Sequence, residues 1–549
     1  MPTRTGRTAF LELLVDEGVT HLFGNPGTTE LAIMEVVPDF AALKFVLGLQ
    51  ESIVIGMADG YARASGRLAA ANVHVAPGLG NAMGAIYNAK FSNSPLLITA
   101  GQQEQGHGLL EPLLYEPLVP IAQPLVKWAV EPTRVEDLPR CLRRAVKVAL
   151  TPPTGPVFIS LPGDVLEQSA DIDLGRPVRV DAKVRPSDDA LERLADRLLA
   201  ARSPVIVAGQ ELAAHDAFAE AGELAELLGA AVYGSSVPYG AQFPTAHPAY
   251  MGSLTRNQKQ VRATLEPYDL LLCLGADLLR MSVYSPVEPL PEGLPVVHVS
   301  ERGWELGKNY RTDVAIQANV KETLRALLPL VRARRTPEAA ARLAALKDRN
   351  WTAQRAKAAV AAMGEAETTP IDPRFLMLRI SEHLPKDAVV VEEALISSLS
   401  LPGFLPVGDP RAFYGLASGG LGFAMPGAIG ASLALGRPVV AVVGDGSAMY
   451  GIQALWTAAH LKLPVTYVIA NNRSYRILKE RLVSMRGSDK FVGMDIKDPA
   501  IDYVGLARAM GVPGRRVTDP NDVAPALREA KDAGGPSLIE VVVADGFGG

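Results

Sequence analysis

Short apolar runs rich in β-branched residues alternate with amphipathic stretches along almost the whole chain. Such runs are typical of strands buried on both faces of a sheet. The stretches between them space their apolar side chains along one face of a helix. Because strands and helices alternate, the pattern predicts α/β domains with doubly wound, mainly parallel sheets.

The alternation is interrupted twice. Residues 170–189 are polar, contain two prolines and lack periodicity. Residues 332–373 contain an alanine-rich, charged helical segment and end in ETTPIDPR. Both segments are interpreted as inter-domain connections, since a chain of 549 residues is too long for one hydrophobic core. The predicted domains are 1–180, 181–345 and 346–549.

One internal similarity is visible. Residues 78–86 are GLGNAMGAI, and residues 420–429 are GLGFAMPGAI. The match predicts that the first and third domains have the same topology, with the two segments at the same helix start.

Composition and charge narrow the possible functions. Hydrophobic residues make up 48% and charged residues 21%, and the formal net charge is −5 without a run of like charge. This balance disfavours nucleic-acid and membrane partners and favours a small-molecule partner.

The two cysteines, Cys141 and Cys273, suggest neither a disulfide framework nor a zinc site. The N-terminus lacks the pattern of a signal peptide, and no apolar run suits a membrane helix, so a cytoplasmic, soluble protein is expected.

The segment 437–478 contains the strongest chemical signal. Pro438–Val443 is predicted as a buried strand that stops at the turn Gly444–Ser447, and a helix follows. A second strand, Pro464–Ala470, ends at two asparagines. In such a βαβ unit the strands are parallel, so both polar turns lie at one carboxyl edge, where open α/β sheets bind ligands.

The polar residues in these turns suit a magnesium ion. Asp445 offers a carboxylate oxygen, Asn472 an amide oxygen, and the backbone at Ser474 a carbonyl oxygen. Magnesium binds a few such oxygens together with phosphate oxygens and water. Either turn alone would be explained as an ordinary loop, but the pair on successive strands favours a metal site.

The same turns suit a phosphate group. Gly444 and Gly446 allow close approach of the backbone, and the helix after Ser447 presents free N–H groups. Neither a Walker motif nor the glycine spacing of a dinucleotide fingerprint occurs.

The pattern GDGS…NN resembles the signature of thiamine-diphosphate enzymes. The stretches FGNPGTTEL, ADGYARASG, NVHVAPGLGNAMGAIYNA and ASGGLGFAMPGAIG are similar to benzoylformate decarboxylases in particular. The resemblance covers nearly the whole chain and implies pyrimidine-binding, middle and diphosphate-binding domains. It also implies thiamine diphosphate and Mg²⁺ as cofactors, with Gly419, Leu421 and Tyr475 joining the glycines and Ser447 in cofactor binding.

The resemblance also assigns the acid–base residues. In this family a glutamate protonates the aminopyrimidine of the cofactor, whose imino form then takes the C2 proton of the thiazolium, and Glu51 matches that glutamate. The helix dipole alone would explain a glutamate at a helix start, but the neighbouring motifs favour catalysis. His74 matches the histidine that handles the substrate carboxylate. His107, in a glycine-rich loop, is a second candidate.

Two positions depart from the family pattern. Thr28 replaces a serine after FGNPG and keeps a hydroxyl for the substrate carboxylate. Ser282 stands where a second active-site histidine is expected, and this puts the substrate and the decarboxylase activity in doubt.

The predicted substrate pocket also differs from that of the family. The resemblance implies a lining that includes Leu113, Leu114, Gly415, Leu421, Ile477 and Arg481, together with Ser282. Ile477 replaces an alanine and narrows the pocket, and Arg481 replaces a phenylalanine. An inward-facing Arg481 would pair with a second acidic group of the substrate, whereas an outward-facing one would be an ordinary surface residue.

Three functions follow as hypotheses. The first is non-oxidative decarboxylation of a 2-oxo acid. The second is carboligation of the acetolactate-synthase type, and the third is a catalytically silent binding protein of the same fold. Some relatives bind FAD in the middle domain, which the sequence leaves open. By resemblance, the active site forms between subunits, so a homodimer or homotetramer is expected.

Overall fold

The protein is described from a computed structural model that covers residues 2–281, 283–334 and 336–547. The described chain contains three six-stranded sheets in which all neighbouring strands are parallel. Helices cover the sheets, and many strands are buried along their full length, as parallel sheets require. The predicted fold of three α/β domains with mainly parallel sheets is confirmed.

The N-terminal part contains the first sheet. Its strands are β1 (Thr3–Thr5), β2 (His21–Gly24), β3 (Lys44–Leu47), β4 (Ala69–Val73), β5 (Leu96–Gln102), β6 (Ala129–Val130), β7 (Val157–Pro162) and β8 (Ser169–Asp171). Its helices are α1 (Gly6–Asp16), α2 (Leu31–Val36), α3 (Glu51–Ser65), α4 (Val75–Phe91), α5 (Gln105–Gly108), α6 (Leu118–Ala122), α7 (Leu138–Leu150) and α8 (Gly163–Glu167). The sheet order is β3-β2-β4-β5-β7-β6, while β1 and β8 form a separate antiparallel pair.

The middle part contains the second sheet. Its strands are β9 (Pro204–Ala208), β10 (Ala231–Gly234), β11 (Tyr250–Ser253), β12 (Leu270–Leu274), β13 (Val296–Ser300) and β14 (Val314–Gln317). Its helices are α9 (Asp188–Leu199), α10 (Glu211–Ala214), α11 (Phe218–Leu228), α12 (Gln258–Leu265), α13 (Val320–Ala333) and α14 (Glu338–Ala344). The sheet order is β11-β10-β9-β12-β13-β14.

The C-terminal part contains the third sheet. Its strands are β15 (Val389–Glu393), β16 (Phe413–Gly415), β17 (Val439–Gly444), β18 (Val465–Asn471), β19 (Gly514–Val517) and β20 (Ser537–Val542). Its helices are α15 (Trp351–Met363), α16 (Pro373–His383), α17 (Leu401–Phe404), α18 (Ala424–Leu435), α19 (Asp445–Ala448), α20 (Ala454–His460), α21 (Arg476–Arg486), α22 (Tyr503–Ala509) and α23 (Val523–Asp532). The sheet order is β16-β15-β17-β18-β20-β19.

The first and third sheets have the same topology. Numbered along the chain, the strands of both have the spatial order 2-1-3-4-6-5. The matching segments, however, lie at different places. GLGNAMGAI lies inside α4, after the third strand, whereas GLGFAMPGAI leads into α18, before the third strand. The expectation of equivalent helix starts is therefore wrong.

Two helices join the first and third sheets in one buried core. Ala58 of α3 and Ile429 of α18 belong to the same apolar cluster. A side chain added at Gly56 would come within 2.5 Å of the Pro426 ring, so the small residues of α3 allow the two helices to pack closely. The carboxyl edges of the two sheets are thereby held in a fixed relation within the chain.

Arg63, near the end of α3, connects all three parts. Its guanidinium donates to the carbonyl oxygens of Gly415 at 3.1 Å and of Tyr239, and it lies 4.6 Å from the Phe423 ring centroid.

The predicted domain boundaries stay predictions. In the described chain, no helix has both the length and the apolar character needed to cross a membrane.

Candidate active site

Two polar turns meet at the carboxyl edge of the third sheet. Gly444 of β17 pairs with Ala470 of β18, so Asp445 and Asn472 follow adjacent strand ends. Asp445 is 3% exposed, and its Oδ2 has no hydrogen-bond partner among the described residues. A buried carboxylate oxygen without a partner is unfavourable unless a cation or a proton reaches it.

The charge of Asp445 is sensitive to this burial. Desolvation raises the pKa of Asp445 to about 6, although the N–H groups of Gly446, Arg473 and Ser474 act in the opposite direction. The three N–H groups favour the ionised carboxylate but carry no net positive charge to neutralise it. The turn thus provides one fixed carboxylate, and no group of three His, Cys, Asp or Glu side chains suited to a metal occurs in the described parts of the chain.

The turn after β18 is held by its own side chains. Asn472 Oδ1 accepts from the Ser474 N–H at 2.9 Å, and Arg473 has a φ of +55°. Ser474 is 3% exposed, and its Oγ has no partner within the described structure. The segment pairs with a later loop, because the Tyr475 N–H donates to the Met494 carbonyl at 2.8 Å.

The predicted phosphate-binding residues lie at this edge as well. Gly446 and Ser447 are in the first turn of α19, and the Tyr475 ring packs on Gly446. Tyr503, which sequence reasoning missed, donates from its hydroxyl to the Asp445 carbonyl at 2.8 Å. The predicted single helix after Ser447 is instead two short helices, α19 and α20, separated by a turn.

The loop that carries Gly419 and Leu421 is fixed by a buried glutamate. Glu393 is 1% exposed and accepts from the N–H groups of Gly422 and Ala424, both at 2.6 Å. Burial raises the pKa of Glu393 to about 8, while those two N–H groups lower it. Sequence reasoning also missed Glu393, because its apolar strand context gave no sign of the loop it contacts.

Glu51 lies at the carboxyl edge of the first sheet. It begins α3 after β3, as predicted, and is 7% exposed. Asn81 Nδ2 donates to Glu51 Oε2 at 3.1 Å. A side chain added at Gly78 would come within 3.0 Å of Oε1, so the carboxylate packs against the first turns of α4.

His74 is held by a glutamate that sequence reasoning missed. His74 Nδ1 lies 2.8 Å from Glu30 Oε2 and 3.2 Å from Thr29 Oγ1. Glu30 has no exposed surface and also accepts from the N–H groups of Gly27 at 2.9 Å and Gly101 at 2.7 Å. Because Glu30 only accepts, Nδ1 carries the proton toward it, and Nε2 is left as the free ring nitrogen.

The backbone next to His74 is strained. Val75 has a φ of +43°, a region that β-branched residues rarely adopt. Such a conformation costs about 1–3 kcal/mol and is usual at sites where a side chain must be aimed. The histidine caps α4, and its ring packs on Gly27, where any side chain would collide with it.

The remaining predicted residues differ in burial. Thr28 is exposed, and Leu113 is 86% exposed in a loop in which Leu114 has a φ of +73°. Ile477 and Arg481 are both half-buried on α21. Gly415 is buried against Pro238, and His107 is exposed on α5. Ser282 lies outside the described residues.

The second sheet has the strand order common in nucleotide-binding domains, with its topological switch between β9 and β12. The crevice there is filled by the chain's own side chains. Arg302 Nε donates to Glu211 at 2.8 Å, its Nη1 contacts Asp277, and all three residues are buried. A flavin at this place would have to displace this ion network.

Comparisons with known proteins identify the family. Residues 4–111 match the model "Thiamine pyrophosphate enzyme, N-terminal TPP binding domain", residues 191–327 the central domain, and residues 399–541 the C-terminal TPP binding domain. The chain belongs to the thiamine-diphosphate-dependent enzymes.

Within this family the similar relatives include decarboxylases and acetolactate synthases. It is 35% identical to benzoylformate decarboxylase of Pseudomonas aeruginosa, with 98% of each chain covered. A solved 4-hydroxybenzoylformate decarboxylase of Rhodococcus jostii superimposes with a TM-score of 0.87 at 36% identity, over 98% of this chain and 99% of that one. A putative acetolactate synthase large subunit of Mycobacterium tuberculosis is 29% identical, over 98% of this chain and 99% of its own.

Proposed function

We propose that this enzyme uses thiamine diphosphate and Mg²⁺ to decarboxylate a 2-oxo acid without oxidation. The observation that carries this proposal is the buried Asp445 oxygen that has no hydrogen-bond partner among the described residues. It lies beside Asn472, on a turn whose N–H groups and glycines suit a diphosphate. The similarity to two benzoylformate-type decarboxylases along nearly the whole chain favours decarboxylation.

The residues at the edge of the third sheet fit the cofactor. Asp445, Asn472 and the Ser474 carbonyl would hold Mg²⁺, while Gly444, Gly446, Ser447 and Tyr475 would contact the diphosphate. Gly419 and Leu421 would contact the organic part, on a loop that Glu393 holds. Thiamine diphosphate, when bound, supplies the carbon nucleophile and the electron sink.

The chain itself supplies proton transfer and orientation. Glu51 Oε1 would be the oxygen that exchanges a proton with the bound cofactor, because Oε2 accepts from Asn81. His74 Nε2 faces the substrate, because Glu30 engages Nδ1. Thr28, three residues after Asn25, offers a hydroxyl to the substrate carboxylate.

The substrate is proposed to be an aliphatic or acidic 2-oxo acid. If Ile477 lines the pocket as the resemblance implies, its bulk disfavours a planar ring. Arg481 forms no salt bridge with any described residue, so its guanidinium is available to a second anion. Arg256 is a second cation near Arg481. Burial lowers the pKa of Arg256, Glu392 raises it, and the charge of Arg481 lowers it.

The functional unit is proposed to be a homodimer or homotetramer. No hydrogen bond among the described residues joins the Glu51 and His74 cluster to the Asp445 turn. Large apolar side chains are exposed beside both clusters, including Leu49 at 43% and Tyr450 at 54%. A second copy would cover these side chains and bring the two half-sites together.

The second candidate is a carboligase of the acetolactate-synthase type. It is favoured by the similarity to the putative acetolactate synthase large subunit and by Ser282, which cannot replace a histidine as a proton donor near neutral pH. The test is carbon dioxide release from a panel of 2-oxo acids, measured alongside acetolactate and acetoin formation from pyruvate. Aldehyde and carbon dioxide in equal amounts support the decarboxylase, whereas ligated product as the main outcome supports the carboligase. Cofactor binding without turnover of any acid would leave a silent binding protein.

A further inference from the structure

A buried lysine links three segments next to the proposed site. Lys479 of α21 is 2% exposed. Its Nζ lies 2.8 Å from Asp495 Oδ1 and 3.2 Å from Asp545 Oδ2. The rings of Phe491 and Phe547 are 5.2 and 5.8 Å from Nζ and pack edge-to-face on each other. Lysines are rarely buried unless paired, so this contact is a specific feature of the chain.

Asp495 belongs to a segment that contacts the turn after β18 (residues 472–474), here called the metal-side turn. Asp545 belongs to a tail that contacts the end of β18, where the Val543 N–H donates to the Asn471 carbonyl at 3.0 Å. The backbone of Asp495 forms an isolated antiparallel β-bridge with that of Ser474. The Ile496 N–H donates to the Arg473 carbonyl at 2.8 Å. Asp545 lies in the tail that follows β20, and the Phe547 N–H donates to it at 2.7 Å. The loop and the tail therefore meet at the lysine.

The same helix carries the proposed substrate wall. Ile477 and Arg481 are four residues apart and share one face of α21. Lys479 lies midway between them in sequence, so its side chain leaves from the other face of the helix. A helix held on one face by two carboxylates presents its other face at a fixed position.

We infer that Lys479 is a positioning residue for both the substrate wall and the metal-side turn. Together with Asp495 and Asp545 it forms a latch, which holds α21, the loop before α22 and the tail as one unit. The role of Lys479 in positioning the substrate wall rests on the proposed function. Its role in holding the loop and the tail does not depend on that function.

The chain provides a matched control. Lys497 lies 3.3 Å from Asp495 and 3.9 Å from Asp545, but its side chain is 44% exposed. It therefore meets the same two carboxylates from the solvent side. Lys497→Met removes the same charge as Lys479→Met without opening the buried contact.

The first measurement is amide hydrogen exchange of the protein without added substrate. In Lys479→Met, residues 488–497 and 543–547 should exchange at least about tenfold faster, with β17 and β18 unchanged, because both carboxylates lose their buried partner and keep only the solvent-exposed Lys497. Lys479→Arg should restore slow exchange, and Lys497→Met should match the unmodified protein. Unchanged exchange in Lys479→Met would overturn the latch.

The second measurement separates positioning from stability alone. At saturating cofactor, Lys479→Met should raise KM for the best 2-oxo acid about tenfold and change kcat by less than about threefold, since Glu51 and His74 are on another domain. An unchanged KM in a variant with fast exchange would refute the positioning role. If the unmodified protein turned over no 2-oxo acid, the proposed function would fail, and the exchange result would still decide the latch.

A third variant covers the case in which Lys479→Met does not fold. Asp545→Asn keeps the pair between Lys479 and Asp495 and weakens the tail contact alone. Faster exchange in residues 543–547, without a change in 488–497, is expected. Slow exchange of the tail in this variant would overturn the role assigned to Asp545.

Discussion

Glu30 should be as important for turnover as the histidine it holds, and Glu30→Gln tests this. The carboxylate accepts four hydrogen bonds, from Gly27 N, Gly101 N, Thr29 Oγ1 and His74 Nδ1. Glutamine has the same shape but provides one accepting oxygen and one donating nitrogen. If its oxygen serves Gly101 and Thr29, its nitrogen faces Gly27 and His74.

The consequence for His74 is a changed tautomer. An amide donor opposite Nδ1 makes that nitrogen the acceptor and places the ring proton on Nε2, where the free acceptor is needed. The loss of a correctly oriented acid–base group lowers kcat by about 10²–10⁴-fold, or roughly 3–5 kcal/mol of activation free energy. The Gly27 N–H left without an acceptor should lower the free energy of unfolding by about 1–3 kcal/mol.

The assay is steady-state turnover of the best 2-oxo acid, with cofactor content and urea unfolding measured on the same preparations. Glu35→Gln is the matched control, because Glu35 is 67% exposed and contacts only Arg7 among the described salt bridges. The control should keep normal turnover and stability. If Glu30→Gln retained kcat within about threefold of the unmodified enzyme, the orientation of His74 by Glu30 would be refuted.

Four further outcomes are expected. Glu51→Gln should keep the cofactor but lose about 10²–10⁴-fold in kcat, and near-normal turnover would remove Glu51 from the mechanism. Asp445→Ala should lose the cofactor on gel filtration with or without chelator, because it removes the only charged metal ligand proposed, and undiminished content would locate the metal elsewhere. The pKa of Glu393, raised to about 8, means that the folded state holds a proton that the unfolded state releases. The free energy of unfolding should therefore fall between about pH 5 and 8, by on the order of 1.4 kcal/mol per pH unit, and urea unfolding of Glu393→Gln should lack this slope. Ile477→Ala with Arg481→Phe should shift kcat/KM toward benzoylformate by about tenfold, or 1.4 kcal/mol, and an unmodified enzyme that already prefers benzoylformate would contradict the pocket interpretation.

The third sheet could be predicted well from the sequence because its signals are local. A buried strand that stops at Gly444 and Asp445, followed by a second strand that stops at Asn472, determines one edge of one sheet. The parallel topology and the position of Glu51 at the start of α3 follow from the same kind of pattern.

The partners of these residues could not be predicted in this way. Glu30 belongs to FGNPGTTEL and is indistinguishable by sequence from a surface glutamate at a helix start. Its burial arises because the ends of β2, β4 and β5 converge on it. A weak signal did exist, since a glutamate three residues after a helix N-cap can accept from the N-cap N–H, as Glu30 does from the Gly27 N–H at 2.9 Å. Such contacts depend on register between distant strands, which local patterns do not encode.

The helix α4 explains how one chain can serve two half-sites at once. Its first residues hold His74 and contact Glu51 through Asn81. Near its other end, Asn88 Oδ1 accepts from the N–H of Ser418, at the start of the loop that carries Leu421. In the proposed dimer, the acid–base groups and that loop act in different active sites. Because a helix is a stiff element, α4 rather than the subunit interface fixes the distance between the acid–base groups and the loop that carries Leu421. The interface then has to match the surfaces of two already ordered half-sites, which lowers the ordering entropy that assembly must overcome.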